Sequence, residues 1–182
     1  LELFESDQAN PVPQSETFTL DDLRCARYTD VVRSVFGART TGALRIVPVS
    51  GHVLASSRTY TRRADGGTFG QYIAAVPESE ASSWNSYARL TPGSQTSYPT
   101  EGFRTNLGFV NAEESPASVL IEVRGSDDRL LSEVEIELRP YEHRQLNGFL
   151  EDLAPDGDLV NASIVVQAGH HPSRLLSYAS VV

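Results

Sequence analysis

The sequence feature that most constrains the fold is an alternation of apolar and acidic residues with a period of two. Residues 131–138 read LSEVEIEL, which places apolar side chains on one side of an extended chain and glutamates on the other. Residues 119–124 alternate in a similar way, and GSDD at 125–128 supplies turn residues between the two stretches. The pattern predicts a β-hairpin with one face in the core and one face in water.

Most of the remaining chain shows similar short runs, and only two stretches have helical spacing. Asp30 is a candidate cap for a short helix that ends at Gly37, and residues 146–153 carry an i, i+3, i+4, i+7 apolar stripe closed by Pro155. We interpret both stretches as lids over the end of a core. Further strands are predicted at residues 1–5, 17–20, 43–49, 53–61, 69–75, 103–110, 160–166 and 175–182.

The two halves of the chain align as an internal repeat of low identity. Five blocks occur in the same order in both halves, and the offset between the copies stays between 117 and 121 residues. The aligned blocks are residues 1–8 with 121–128, 17–20 with 135–138, 27–37 with 144–154, 41–49 with 160–167, and 56–61 with 177–182. The repeat predicts an all-β protein made of two related antiparallel β-sandwich lobes, with a single merged sandwich as the alternative.

The repeat also predicts how the chain is divided. Residues 1–76 form the first repeat, residues 77–101 form a crossover rich in proline and serine, and residues 102–182 form the second repeat. Each repeat contains one of the two short helical lids. A long crossover without structure is unusual in a compact domain, so part of this segment is expected to pack against the lobes.

The first repeat lacks a strand that the second repeat has. Residues 103–111 precede the hairpin of the second copy, whereas the first copy begins directly at the equivalent of that hairpin, at Leu1. One explanation is that further residues precede Leu1 in a longer or processed protein, which fits the absence of methionine at position 1. The other is that an open edge at Leu1, Leu3 and Glu5 accepts a strand from another subunit, which builds a filament by strand addition.

Charge and composition exclude several classes of function. The chain has 15 basic and 24 acidic residues and a net charge of −9, and all its basic residues are arginine. Without lysine it cannot be a Schiff-base enzyme or a P-loop NTPase, and it cannot form lysine isopeptide cross-links. The acidic balance disfavours nucleic acid as a partner, and no apolar run approaches the roughly 20 residues that span a membrane.

No motif in the sequence points to catalysis, a cofactor or a metal. His52 and His143 are isolated, and the adjacent pair His170 and His171 has no common zinc spacing. The run APDGDL at 154–159 lacks the spaced carboxylates of a calcium loop, and neither G-x-S-x-G nor H-E-x-x-H occurs. We therefore predict a non-enzymatic chain with no catalytic, cofactor or metal residues.

Two single residues, Cys25 and Asn106, are expected to have structural roles. The single cysteine, Cys25, cannot form an internal disulfide and is expected to be a small buried residue. Asn106 lies among apolar neighbours of a predicted strand and is expected to bond a backbone group.

The crossover carries three aromatic residues that are candidates either for ligand binding or for packing. Trp84, Tyr87 and Tyr98 could present flat apolar faces to a pyranose ring. Their position between the repeats favours packing over the sandwich instead.

Two sequence patterns resemble those of a known group of proteins. The first pattern, in the second half, consists of RTNLGFVN at 104–111, HRQLNGF at 143–149 and YASVV at 178–182. The second pattern, in the first half, consists of SSRTYT at 56–61 followed by GGTFGQY at 66–72. They resemble bacterial secreted and cell-surface proteins with tandem immunoglobulin-like or fibronectin-like β-sandwich modules. The resemblance covers most of the chain and implies an extracellular, non-catalytic module. In that group a strand usually precedes the position of Leu1, which is absent here.

These observations together predict a structural or adhesive module of an extracellular bacterial assembly. Its expected partners are further copies of itself or other surface proteins, joined by completed sheets. The alternative is a carbohydrate-binding module of a secreted or surface protein, with polysaccharide as the partner.

Overall fold

The computed structural model of the chain describes residues 1–62, 64, 66–83, 86–95, 103–153, 158–169 and 174–181. Strands make up 47% of the chain and helices 8%, which confirms the all-β prediction. The strands in the described residues are β1 Glu2–Glu5, β2 Gln14–Ser15, β3 Gly42–Arg45, β4 Ser56–Arg62, β5 Thr68–Ala74, β6 Tyr87–Gln95, β7 Thr105–Asn111, β8 Ala117–Arg124, β9 Leu130–Leu138, β10 His143–Leu146, β11 Leu159–Ala168 and β12 Leu175–Val181.

The second half of the chain forms an antiparallel β-sandwich. One sheet has the strand order β10-β7-β12 and the other has the order β6-β11-β8-β9. Fully buried side chains from both sheets meet in one apolar cluster, which includes Leu107 and Phe109 of β7, Ile121 of β8 and Ile164 of β11. Burial of these side chains stabilises the fold by roughly 1.5–3 kcal/mol each relative to exposure.

The predicted hairpin at residues 119–138 is confirmed as β8 and β9. Val119 pairs with Ile136 and Ile121 pairs with Val134, so the apolar residues of both strands share one face. Every second residue of β8 is buried, as the alternation predicts. Strand β6 belongs to the segment that we predicted as a crossover, and it pairs with β11 at the edge of this sheet.

The first half of the chain contains a smaller sheet with the order β2-β1-β3. In this sheet Leu3 pairs with Leu44, and in the sandwich Val123 pairs with Ile164. Val123 lies 120 residues after Leu3, and Ile164 lies 120 residues after Leu44. The strand order β2-β1-β3 thus repeats the order β9-β8-β11. This matching register supports the internal repeat.

The two halves nevertheless differ in how they are packed. The buried apolar cluster consists of residues from the second half, whereas the buried apolar residues of the first half are Leu3 and Phe4 among those described. Strands β4 and β5 form a separate two-stranded sheet. Residues 17–20, predicted as a strand, are exposed and irregular, and β3 ends at Arg45, three residues before Pro48.

The predicted first helix is confirmed as α1, Val31–Phe36. Gly37 ends it with a φ of 67° and donates its amide to the Arg33 carbonyl. Asp30 precedes the helix, but its side chain makes no capping hydrogen bond, so its predicted capping role is wrong.

The second predicted helix is reduced to one 3-10 turn at Glu151–Leu153. Backbone amides that a helix would use internally are instead bonded to β7. The Phe149 amide donates to the Thr105 carbonyl, and the Gly148 amide donates to Asn106 Oδ1. The apolar stripe still packs inward, because Leu150 is fully buried in the core cluster.

Candidate functional site

The hairpin of β4 and β5 is a strongly exposed element of the described chain. Its register places Arg58 opposite Tyr72 and Tyr60 opposite Gly70. All seven residues of β4 are exposed. A two-stranded ribbon of this kind is marginally stable alone in water, so the hairpin is suited to pair with another surface.

One face of this hairpin combines aromatic and cationic side chains. The guanidinium carbon of Arg58 lies 5.5 Å from the centroid of the Tyr60 ring. Tyr72, opposite Arg58, is 68% exposed. Arg62 lies on the same face, since residues two apart in a strand point to the same side. This face is therefore both positively charged and aromatic in a chain whose net charge is −9.

The outer strand of the four-stranded sheet presents the opposite charge. Glu133, Glu135 and Glu137 alternate along β9 and are exposed. Within the part of the chain that the structure describes, β9 pairs only with β8, so its other edge is unpaired. The acidic face of β9 is the wet face that the alternation LSEVEIEL predicts.

The edge that we predicted at Leu1, Leu3 and Glu5 is occupied in the structure. Strand β1 is the central strand of its sheet, and Leu3 pairs with β2 on one side and β3 on the other. The side chain of Asn10 accepts a hydrogen bond from the Glu5 amide and donates one to the Glu5 carbonyl. The Leu1 amino group donates to the Glu16 carbonyl at 2.7 Å. Among the described residues, the outer edges of this sheet lie on β2 and β3 instead.

A chain of polar side chains joins the first half to the sandwich. Thr41 donates to Ser6 Oγ at 3.1 Å, and Ser6 Oγ lies 2.7 Å from His143 Nδ1. On the other side of the imidazole, Nε2 lies 3.2 Å from the Tyr178 hydroxyl, which donates to Gln145 Oε1 at 3.0 Å. A neutral His143 with its proton on Nε2 fits all of these hydrogen bonds. Nδ1 then accepts from the Ser6 hydroxyl, and Nε2 donates to the Tyr178 hydroxyl.

Burial supports this neutral form of the imidazole. Burial lowers the pKa of His143, while the nearby carboxylates of Asp7 and Glu142 act in the opposite direction. Burial also raises the pKa of the Tyr178 hydroxyl. Together these side chains form a polar contact between the two halves.

Backbone hydrogen bonds extend the same contact. The Asp7 amide donates to the His143 carbonyl, and the Asn10 amide donates to the Pro140 carbonyl. The side chain of Asn10 also donates to the Tyr141 carbonyl. Residues 5–10 are thus fixed along one end of the sandwich.

A buried ion pair lies beside this contact. Glu142 is fully buried, and its Oε1 accepts two hydrogen bonds from Arg144, at 2.9 and 2.7 Å. Its Oε2 accepts from the Arg139 amide at 2.6 Å. Both carboxylate oxygens therefore accept hydrogen bonds within the chain. The carboxylate is a structural group that holds the 139–144 segment in place beside the first half.

The arrangement contains the hydroxyl and imidazole of a nucleophile pair, but its geometry points to a structural role. The second imidazole nitrogen bonds a tyrosine hydroxyl, not the carboxylate that orients a catalytic histidine. In the described residues there is no group of three or more His, Cys, Asp or Glu side chains placed to hold a metal ion. No helix in the same residues is long and apolar enough to cross a membrane.

The candidate residues predicted from the sequence have mixed outcomes. Trp84 and Tyr98 lie outside the described residues, and so do His170 and His171. Tyr87 is the first residue of β6, where its backbone pairs with Gln167. Neither the ligand-binding nor the packing role of the three aromatics is therefore tested.

Two single-residue predictions have outcomes. Cys25 is exposed, so the prediction of a buried thiol is wrong, because the segment around it packs against no core. Asn106 bonds the Gly148 amide, which confirms its predicted backbone role.

Sequence reasoning missed the residues that matter most in this geometry. We predicted a strand at residues 53–61 but did not single out the face formed by Arg58, Tyr60 and Arg62. Its signal was present, because SRTYTR alternates with a period of two. The pair of Ser6 and His143 had no such signal, because the two residues are 137 positions apart.

The fold and these surfaces define the class of the chain as an all-β protein built on an antiparallel β-sandwich. No protein-family model matches it, and no curated protein matches it. Among solved structures it is similar to the Anabaena sensory rhodopsin transducer, with 14% sequence identity and a TM-score of 0.41. The match covers 54% of this chain and 90% of that one. A likeness at this level carries no inference about function.

Proposed function

We propose that the chain is a non-catalytic structural or adhesive module of an extracellular bacterial assembly, joined to its neighbours by β-strand addition. The observation that carries this proposal is the β4–β5 hairpin, whose first strand is exposed along its whole length. Strand addition uses unpaired backbone donors and acceptors at sheet edges. Among the strands that the structure describes, this hairpin and β9 both have such an edge. The extracellular bacterial setting rests on the resemblance of the RTNLGFVN and YASVV stretches.

Apolar residues exposed in the first half give further support. Leu23, Val49 and Leu54 are almost fully exposed, in a half with few buried apolar residues. Side chains of this kind gain free energy when a partner covers them, which supports a contact with another protein. Because the chain has no lysine and a single cysteine, cohesion depends on sheet hydrogen bonds and apolar contacts.

The test is the state of association of the purified chain. Light scattering after size-exclusion chromatography should show a mass that rises with protein concentration, and negative-stain images should show ordered fibres. A chain that stays monomeric at all concentrations and forms no fibres contradicts the proposal.

Carbohydrate binding is a second candidate, and the exposed rings of Tyr60 and Tyr72 on one hairpin face favour it. Aromatic faces of this kind can stack on sugar rings. If this function is correct, the chain is retained by insoluble polysaccharide in a pull-down and Tyr72→Ala abolishes retention. Unchanged retention by the variant excludes this face as the sugar site.

A further inference from the structure

We propose that the outer edge of β4 in one copy pairs with the outer edge of β9 in a second copy. This inference rests on the proposed function and names the two edges that form the joint between subunits. In the described residues, β9 ends the four-stranded sheet, and β4 pairs with β5 on one side only. Each strand therefore leaves one row of backbone groups available for another strand.

Charge complementarity selects these two edges for one another. Glu133, Glu135 and Glu137 lie on the outward face of β9 and form no ion pair within the described part of the chain. Strand β4 contains two arginines and no acidic residue. If two β9 edges paired, their glutamates would lie side by side and repel, so this edge favours an arginine-bearing strand over its own kind.

The spacing of the charges sets the register of the joint. Arg58 and Arg62 are four residues apart on one face of β4, and so are Glu133 and Glu137 on β9. Antiparallel pairing that places Arg58 opposite Glu137 also places Arg62 opposite Glu133. A slip of one residue would turn both arginines to the other face of the sheet, so the charge pattern fixes the register.

The same register gives suitable neighbours on the opposite face. Thr61 then lies beside Val134 and Thr59 lies beside Ile136, and these are β-branched residues that pack well between strands. Val134 is 37% exposed in the single chain. Pairing covers part of this side chain and extends the β6-β11-β8-β9 sheet to six strands.

We assign a second copy of this chain as the partner, because each chain contains both edge strands, β4 and β9, and does not pair them with each other. Within the chain, β4 and β9 belong to different sheets. The two surfaces are different, so each added copy still offers one hairpin and one β9 edge. Such a heterologous contact continues into an open filament unless its rotation closes a ring.

The test uses charge reversal on each edge, measured by sedimentation velocity and negative-stain imaging of the whole chain. Arg58→Glu with Arg62→Glu, and separately Glu133→Arg with Glu137→Arg, should each raise the concentration needed for assembly at least tenfold. An equimolar mixture of the two double variants should regain assembly, because each one's hairpin then complements the other's β9. All four changes in one chain should also restore it.

Matched controls carry the same change of net charge at exposed positions elsewhere. These are Arg24→Glu with Arg39→Glu, and Glu80→Arg with Glu114→Arg, and both should assemble like the wild type. Near-ultraviolet circular dichroism checks that each variant keeps its sandwich.

The outcomes separate this inference from the proposed function. If the wild-type chain never assembles, the proposed function fails and this joint fails with it. If the wild type assembles but neither double reversal weakens assembly, or mixing does not restore it, only the β4–β9 joint is overturned.

Discussion

The hydroxyl of Ser6 lies 2.7 Å from Nδ1 of His143, and this hydrogen bond joins the first half of the chain to the sandwich of the second half. The imidazole is buried between the two halves, with the Tyr178 hydroxyl on its other nitrogen. The position of the smaller sheet on the sandwich therefore depends on an imidazole whose pKa is lowered by burial.

The first prediction concerns the dependence of stability on pH. Burial lowers the pKa of His143 in the folded chain below its ordinary value of about 6.5. Between the two pKa values the unfolded chain binds more protons than the folded chain, so acid favours unfolding there. The contribution of His143 is present above about pH 6.5 and is lost as the pH falls towards the lowered value.

Urea unfolding at a series of pH values between about 5 and 8 measures this effect. His143→Gln should flatten the dependence in that window, because the amide can hydrogen-bond but does not titrate. An equally steep dependence in the variant would show that groups other than His143 cause it.

The second prediction concerns a close contact between neighbouring strands of the sandwich. Gly108 of β7 pairs with Tyr178 of β12, and a Cβ added at Gly108 would overlap the Tyr178 ring. Gly108→Ala should lower the free energy of unfolding by about 1–3 kcal/mol, since the tyrosine ring must move. The same substitution in a Tyr178→Ala background should cost much less, and equal costs in both backgrounds would contradict the contact.

The third prediction concerns the buried ion pair. Arg144→Met removes both hydrogen bonds to Glu142 Oε1 and leaves a buried carboxylate without its cation. The free energy of unfolding at pH 7 should fall by about 2 kcal/mol, below the range for fully buried pairs because Arg144 is partly exposed. Adding Glu142→Gln should recover part of the loss. No recovery in the double variant would argue that the arginine acts through packing alone.

The fourth prediction compares the core with the hairpin. Ile121 is fully buried in the sandwich, so Ile121→Ala should cost about 2–5 kcal/mol of unfolding free energy. Tyr72→Ala on the exposed hairpin should change the stability of the monomer by less than about 0.5 kcal/mol. A large loss from Tyr72→Ala in dilute solution would mean that the hairpin packs on its own chain.

Local pattern was a reliable guide where one strand face is buried. The alternation around Glu133 and Val134 predicted both the hairpin and its wet face, because the side-chain period of a strand is a local property. Gly37 likewise marked the end of α1, since a left-handed residue there needs only its own backbone freedom.

Sequence pattern was a poor guide where backbone amides could bond either to local or to distant acceptors. The stripe at residues 146–153 has helical spacing, yet the Gly148 amide bonds to Asn106 of β7, which lies 42 residues away in sequence. The Phe149 amide also bonds to β7. Similarly, the edge predicted at β1 was filled by β2 and by the Asn10 side chain. Such competition between local and distant acceptors is decided only when the chain has folded.

The sequence by itself determined that this chain is all-β, which faces of β8 and β9 are buried, and that its halves repeat, because periodicity and offset are linear properties. Only the tertiary structure decided that Ser6 meets His143, that β1 is a central strand, and that β4 and β9 are edge strands among the strands it describes. These are consequences of which strands become neighbours. Burial and hydrogen bonds between distant segments set that choice, and no local run of residues encodes it.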